Sequence, residues 1–350
     1  MNKISKSPEY LRIATEEAWA PADLLKRWRK LLHDKSFHDP GFLALWGFFL
    51  EQDVGYTNTM VEKLVDLGAG RIADMDATGI DRQLLLLTAP GVQVFRDPAE
   101  ALDMARASND EVADACRKYP ERFSALAAIP PQDPVAAARE MDRAINQLGL
   151  NGVVINSHTH GEYLDDPRFW EIFEAAEALD AAIYIHPQAP PPNMVTEFAK
   201  RGVEGAVMGF QVEVALHTVA LILAGVFDRF PRLKLVIGHG GEGLPFWLYR
   251  LDYQQKVILA NRGTKLAHPI SEYLKRNVFM TTSGMGWEPA ILFCQQVMGV
   301  DNILYAMDYP YEFNAEEVRV TDNLPISDTD KKKLYQTNAE RIFKLQATKQ

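Results

Sequence analysis

Residues 152–187, GVVINSHTHGEYLDDPRFWEIFEAAEALDAAIYIHP, read as a strand, a helix and a second strand. The first run, GVVINS (152–157), is apolar on both faces up to a polar end, as a strand buried in a parallel sheet should be. Asp166-Pro167 then supplies an N-cap and a first-turn proline, and Phe169, Ile172, Phe173 and Ala176 follow at helical spacing. AAIYIHP (181–187) returns as the next strand. The same unit recurs on either side, in LRIATEE (11–17), DRQLLLLT (81–88), FSALAAIP (123–130), LKLVIGHG (233–240), NVFMTTSG (277–284) and NILYAMDYP (302–310). Between them, Asp133-Pro134 starts a helix through Ala138, Met141, Ile145 and Leu148, while Gly79 and Tyr119-Pro120 end two others. Eight strands alternating with helices predict an α/β chain folded as a single (β/α)8 TIM barrel over residues 1–350. A doubly wound nucleotide-binding sheet would usually open on a Gly-rich turn after its first strand; GHGGEG (238–243) fits GxGxxG only after the sixth run, and GxxxxGK[ST] does not occur.

The length of 350 residues exceeds a common barrel of about 250, and two excursions account for the surplus. Residues 20–70, after the first strand, are predicted to form a helical lid, and residues 188–212 a long loop after the fifth. The formal charge of −10 argues against a nucleic-acid partner and against anionic lipid. Two cysteines exclude a disulfide framework, and the longest apolar stretch, residues 219–227, is half a membrane span. With no signal peptide visible at the start, a cytoplasmic enzyme is expected, with no membrane partner.

Function is carried by where the polar residues fall. Glu16 and Glu17 end the first run, Asn156 the fourth, His186 the fifth, His239 the sixth, Ser283 the seventh and Asp308 the eighth. In a barrel these ends converge on the catalytic face, and carboxylates with imidazoles there suit one mononuclear metal. Each has a bland alternative: Glu16 as a cap or surface charge, His186 as a packed histidine, the glycines around His239 as a tight turn, and Asp308 as a cap on the final loop. Four residues at one layer of four strands favour the joint site. Glu242 is placed to hold the His239 tautomer or simply to start the next helix, and His217 to orient a pocket water or ligand or to pack within its helix; His158 and His160 are expected on a solvated loop after the fourth strand, with substrate contact by one of them the alternative. Trp46, Phe48 and Trp287 offer flat faces for an aromatic ligand, or simple packing.

At IATEEAW (13–19), MDATGID (75–81), INSHTHG (155–161), YIHP (184–187), GHGGEGLPFWLYRLDY (238–253), SGMGWEP (283–289), YAMDYPYE (305–312) and TNAERIFKL (337–345), the chain resembles the amidohydrolase-related aromatic acid decarboxylases. The 5-carboxyvanillate branch is nearest in motif, and the resemblance runs from about residue 10 to 345. It implies one divalent metal, manganese or zinc, with Glu16, His186 and Asp308 as ligands and His239 beside or on it. It further implies Asn156 and Phe210 as pocket residues, and Arg250 as partner of a substrate carboxylate. The first strand reads Glu16-Glu17-Ala18 rather than His-x-His, and GVVINS has no lysine to bridge a second metal. The lid arginine of that branch falls near Tyr56, within DVGYTN (53–58), which contains no arginine.

The expected reaction is non-oxidative decarboxylation of a small ortho-hydroxybenzoate-type acid. Phenolate and carboxylate are chelated by the metal, and Asp308 protonates the ring carbon with His239 and Glu242 in support. A metal-dependent hydrolase or hydratase is the alternative, and a non-catalytic barrel a more distant one. A homo-oligomer, dimer or tetramer, is expected.

Overall fold

The structure is a computed structural model that describes residues 10–52 and 54–346. Among the described residues nine strands run in chain order: β1 (Ile13–Trp19), β2 (Arg82–Leu87), β3 (Phe123–Ala125), β4 (Ala127–Ala128), β5 (Val153–Ile155), β6 (Ala182–Ile185), β7 (Lys234–Ile237), β8 (Val278–Thr281) and β9 (Ile303–Leu304). All pair in parallel, each with the next in sequence except across Leu126. There the third apolar run is split: Leu126 N–H donates to Leu85 O (2.8 Å) and Ala127 N–H to Gly152 O (2.9 Å), so one run serves both neighbours. The array then closes on itself, because Thr15 N–H donates to Tyr305 O (3.0 Å) and Ala18 N–H to Tyr309 O (2.6 Å). The eight apolar runs therefore form one closed ring of parallel strands.

Strand burial follows from this closure. Every residue of β2 is buried, as its uninterrupted leucines require when the barrel interior lies on one side and helices on the other. Burying one leucine contributes roughly 1.5–3 kcal/mol, so Leu84 to Leu87 are a substantial part of the core. The helix signals also correspond to real caps. Asp133 accepts from Ala136 N–H to open the helix Pro134–Asn146, Asp166 accepts from Arg168 N–H, and Gly79 closes Ala69–Thr78 in the left-handed conformation. No helix among the described residues is long and apolar enough to cross a membrane.

One expectation about β1 is corrected. Glu16 and Glu17 do not end the strand, which continues to Trp19. The register against β2 slips between Ala14 and Glu17, a bulge in the middle of the strand. A bulge sends consecutive side chains in directions the regular pleat forbids, and both glutamates end up buried with separate partners. After β1 and ahead of Ala69–Thr78 come the helices Ala22–His33, Pro40–Glu51 and Gly55–Val65, and after β6 a short helix, Thr196–Ala199, leads to the long Gly209–Leu223.

Candidate active site

Glu16 enters the barrel interior from the bulge. Its Oε2 accepts from the hydroxyls of Tyr184 on β6 and Thr281 on β8 (2.8 Å for the latter). Its other oxygen, Oε1, is buried with no hydrogen-bond partner among the described residues. That atom instead faces His186 Nε2 at 3.5 Å and His239 Nε2 at 3.6 Å. Gly238 makes the approach feasible, since a Cβ there would lie 2.7 Å from Glu16 Oε2.

His186, one residue past β6, uses Nδ1 to donate to Pro187 O (2.8 Å), which leaves the Nε2 lone pair directed at Glu16. Burial lowers its pKa to about 4, so the imidazole is neutral. Two electron-pair donors facing one another without a proton between them are repulsive unless a cation joins them. Asp308 completes the set: the ligand atoms of Glu16, His186 and Asp308 all lie within 4.8 Å of one another. The donor chemistry thus fits a divalent ion.

His239 stands beside this trio, its Nε2 3.8 Å from Asp308 Oδ2 and its Nδ1 2.7 Å from Glu242 Oε1. Burial works to lower its pKa, but Glu242, Glu16 and Asp308 outweigh that and raise it well above the imidazole range. Burial likewise pushes Glu16 up to about 7, opposed by His239 and assisted by Asp308. His239, Glu242 and Asp308 all have positive φ (51°, 55° and 62°). Such strain in non-glycine residues is retained where surrounding contacts over-determine it.

Glu17, which the sequence places at the end of the first run without a specific task, supplies part of that determination. Its carboxylate accepts from Met307 N–H (3.0 Å) and Tyr309 N–H (3.3 Å), the residues on either side of Asp308. Gln83 Nε2 donates to Glu17 (3.2 Å), and the buried Arg71 donates to Gln83 Oε1 (3.2 Å). Strong burial raises the Glu17 pKa well above the ordinary carboxylate value. Tyr184 and Thr281 hold Glu16 in the same indirect way. Their polar tips inside apolar runs were the available signal.

Above the cradle lies a cavity of about 210 Å³ lined by His186, His239 and Asp308 together with Leu45, Phe49, Tyr56, Thr88, Ala89, Pro187, Ala206, Phe210, Tyr311 and Glu312. It is smaller than sites for drug-sized ligands, roughly 300–1,000 Å³, and suits a single ring. Phe210 and Tyr56 line it, as the sequence suggested, whereas Phe49, Thr88, Tyr311 and Glu312 were missed. Leu45 and Phe49 share one face of their helix at i, i+4, the pattern that could have found them. A larger cavity, about 430 Å³, opens near the opposite strand ends around Arg82, Phe123 and Leu150, but holds none of these metal-ligating residues.

Several expected contacts are not made. His217 is fully buried away from the pocket lining, its Nδ1 2.8 Å from Ser157 Oγ and its Nε2 accepting from Leu164 N–H at 3.1 Å. With both nitrogens engaged it has no atom for a ligand. Arg250 is exposed on the helix Leu244–Gln254 and lines a separate cavity with Trp247 and Leu251. That helix turns Leu244, Pro245 and Leu248 inward, which puts Arg250 on the outer face of its own chain. Asn156 is buried outside the described lining, its main chain tied to Gln93 and Gln188. His158 is buried rather than solvated, with Nε2 on Ala189 O (3.0 Å), and His160 bonds Phe95 O (3.1 Å). Trp46 packs in the core, donating to Ala89 O (3.0 Å), while Phe48 and Trp287 are exposed.

The amidohydrolase family profile matches residues 41–345. γ-Resorcylate decarboxylase of Polaromonas sp. is 34% identical over 290 residues, 81% of this chain and 89% of that protein. The chain belongs to the amidohydrolase-related aromatic acid decarboxylases. Solved members superpose closely. The 5-carboxyvanillate decarboxylase of Novosphingobium aromaticivorans, complexed with manganese and 4-hydroxy-3-methoxy-5-nitrobenzoic acid, gives a TM-score of 0.96 at 46% identity, covering 99% of each chain. The Sphingomonas paucimobilis enzyme gives 0.92 at 40%, covering 97% of this chain and 100% of that one.

Proposed function

We propose that this protein is a carboxy-lyase that removes the carboxylate ortho to a phenolic oxygen on a benzoic acid, with one manganese ion held by Glu16, His186 and Asp308 and flanked by His239. The observation that carries this reading is the orphaned Glu16 Oε1 facing two imidazole nitrogens under an aromatic-lined pocket. Manganese is chosen because a solved relative holds it, and two carboxylates with imidazole suit it; zinc would bind such a donor set at least as tightly. When bound, the ion supplies a cationic anchor for phenolate and carboxylate oxygens.

The chain's own residues do the rest. The pocket walls Phe49 and Phe210 fix the ring plane, so that positioning replaces collision. Asp308 delivers its proton to the ring carbon that bears the carboxylate. The carbon–carbon bond then breaks, its electrons return to the ring, and carbon dioxide leaves. His239, 3.8 Å from Asp308 Oδ2, is the source from which Asp308 is reprotonated, and Glu242 keeps the imidazole turned toward it. Glu17 holds the backbone on either side of Asp308.

The three helices after β1 and the segment after β6 act as covers, contributing Leu45, Phe49 and Tyr56 from one side and Ala206 and Phe210 from the other. The chain works as one domain, in the reducing cytoplasm that its two unpaired cysteines fit. Phe246 and Tyr249 are 78% and 83% exposed on one helix, and an apolar face of that kind supports a dimer or tetramer. Arg250 shares that face, so it reaches a substrate only from a second copy. Light scattering tests the assembly. The activity is tested by giving manganese-loaded protein a set of ortho-hydroxybenzoates and following carbon dioxide. Release is expected, and hydrolytic or hydrated products would overturn the reading.

A further inference from the structure

At the end of the barrel away from the metal cradle, four strands start around a second cavity. Arg82 opens β2, Phe123 opens β3, and Leu150 and Ala181 stand just ahead of β5 and β6. The cavity holds about 430 Å³, against about 210 Å³ for the metal pocket, a size that admits a small organic ligand. Phe123, Ile145, Leu148, Leu150, Leu179 and Phe343 give it apolar walls. Against those walls stands a cation without a counter-charge.

Arg82 lines the cavity and is only 5% exposed. A guanidinium carries five N–H donors. Two of them are engaged, Nη1 by Gln346 O (2.9 Å) and Nη2 by Pro120 O (2.7 Å), and both acceptors are neutral carbonyls. Its Nε is buried with no partner, and no carboxylate among the described residues lies within ion-pair distance of the group. The other buried arginines are served differently. Arg12 meets Asp322 at 2.8 Å, and Arg71 uses Nε, Nη1 and Nη2 on Asp66 O, Gln83 Oε1 and Ala18 O. The one carboxylate among the described lining residues, Asp180, is held by Lys234 (2.7 Å) and Lys344 (2.9 Å), so it leaves Arg82 uncompensated. Burial lowers the Arg82 pKa, opposed by Glu340, Cys116 and Glu121. A guanidinium stays charged even so, and a buried charge without a counter-ion is costly. A carboxylate entering the cavity finds uncommitted N–H donors of matching charge, while the apolar walls cover its hydrocarbon body.

We propose that this cavity is a second ligand site, on the opposite face of the barrel from the metal pocket, which takes a small monocarboxylate with an apolar body and binds its charge through Arg82. The site stands independently of the decarboxylase reading. Its test is a calorimetric titration of manganese-loaded protein with benzoate and, as a neutral control of the same shape, benzamide. The native protein is expected to bind benzoate at a site that benzamide fills at least about tenfold more weakly. Arg82→Met removes the charge, keeps an apolar stem and leaves the metal pocket untouched. It should weaken that site by at least about tenfold. Leu148→Trp narrows the cavity from its wall and keeps the cation, and it should remove the same site; this variant carries the test if Arg82→Met folds poorly. Benzoate binding that is the same in the native protein and in either folded variant overturns the proposal, because the metal pocket would then account for all of it. Equal affinity of the native protein for benzamide overturns the role of the Arg82 charge.

Discussion

On the pocket floor, Glu16, His186 and His239 each carry a second bond that fixes them, to Tyr184 and Thr281, to Pro187 O and to Glu242. At the rim, the side chains of Tyr56 and Glu312 carry no hydrogen bond among the described residues, and Tyr56 is 54% exposed. The floor is built on strands and strand ends, while the Tyr56 side of the rim comes from the helices after β1. On the proposed reading, reaction type resides in the bonded floor and substrate choice in the less bonded rim, which is how one barrel supports many substrates.

The sharpest way to break that division is at Asp308. Asp308→Asn should lower kcat by about a thousandfold, within the range for a lost general acid, while bound substrate is still detected by titration. A variant that keeps its turnover and its metal would remove Asp308 from the proton step. Next, Glu16→Gln removes a charge from the cradle itself. Metal affinity, read by elemental analysis after dialysis, should fall by more than the roughly 10–100-fold typical of outer partners. Glu242→Gln lies within that range, since it disturbs the His239 tautomer but no direct ligand; the pH profile of kcat should move with it.

Glu17→Gln keeps the shape but weakens the two bonds that bracket Asp308. About a tenfold loss in kcat with little change in KM is expected, at roughly 1.4 kcal/mol for one charged hydrogen bond. Tyr56→Phe should matter least, a change of about twofold in KM, because the residue is exposed and unbonded. An effect as large as that of Glu242→Gln would contradict the separation of floor from rim.

The same separation explains what was legible in the sequence. Strands buried on both faces announce themselves as apolar runs, and helix starts such as Asp133-Pro134 carry their caps with them, so the ring of strands could be read. Glu16, His186, His239 and Asp308 were legible because each interrupts an apolar run with a group that can bind metal. The β1 bulge was not, because alternation alone gives adjacent glutamates opposite faces, and only the paired register reveals the slip. The surroundings of His217 and the outward face of Arg250 were not legible for a related reason. A motif says which residue is present, whereas the face of the helix it occupies is decided by what packs beneath it. The rim was least legible, since Phe49, Thr88, Tyr311 and Glu312 line one pocket from elements far apart in the chain.

Isotope labelling reaches the central claim most directly. Manganese-loaded protein in deuterium oxide should release one carbon dioxide for each ortho-hydroxybenzoate consumed and leave one deuterium on the carbon that carried it. Both signals should vanish on chelation and return with added manganese. Solvent oxygen in the product, or carbon dioxide release that survives removal of the metal, would contradict the assignment of Glu16, His186 and Asp308 as a metal-dependent decarboxylation centre.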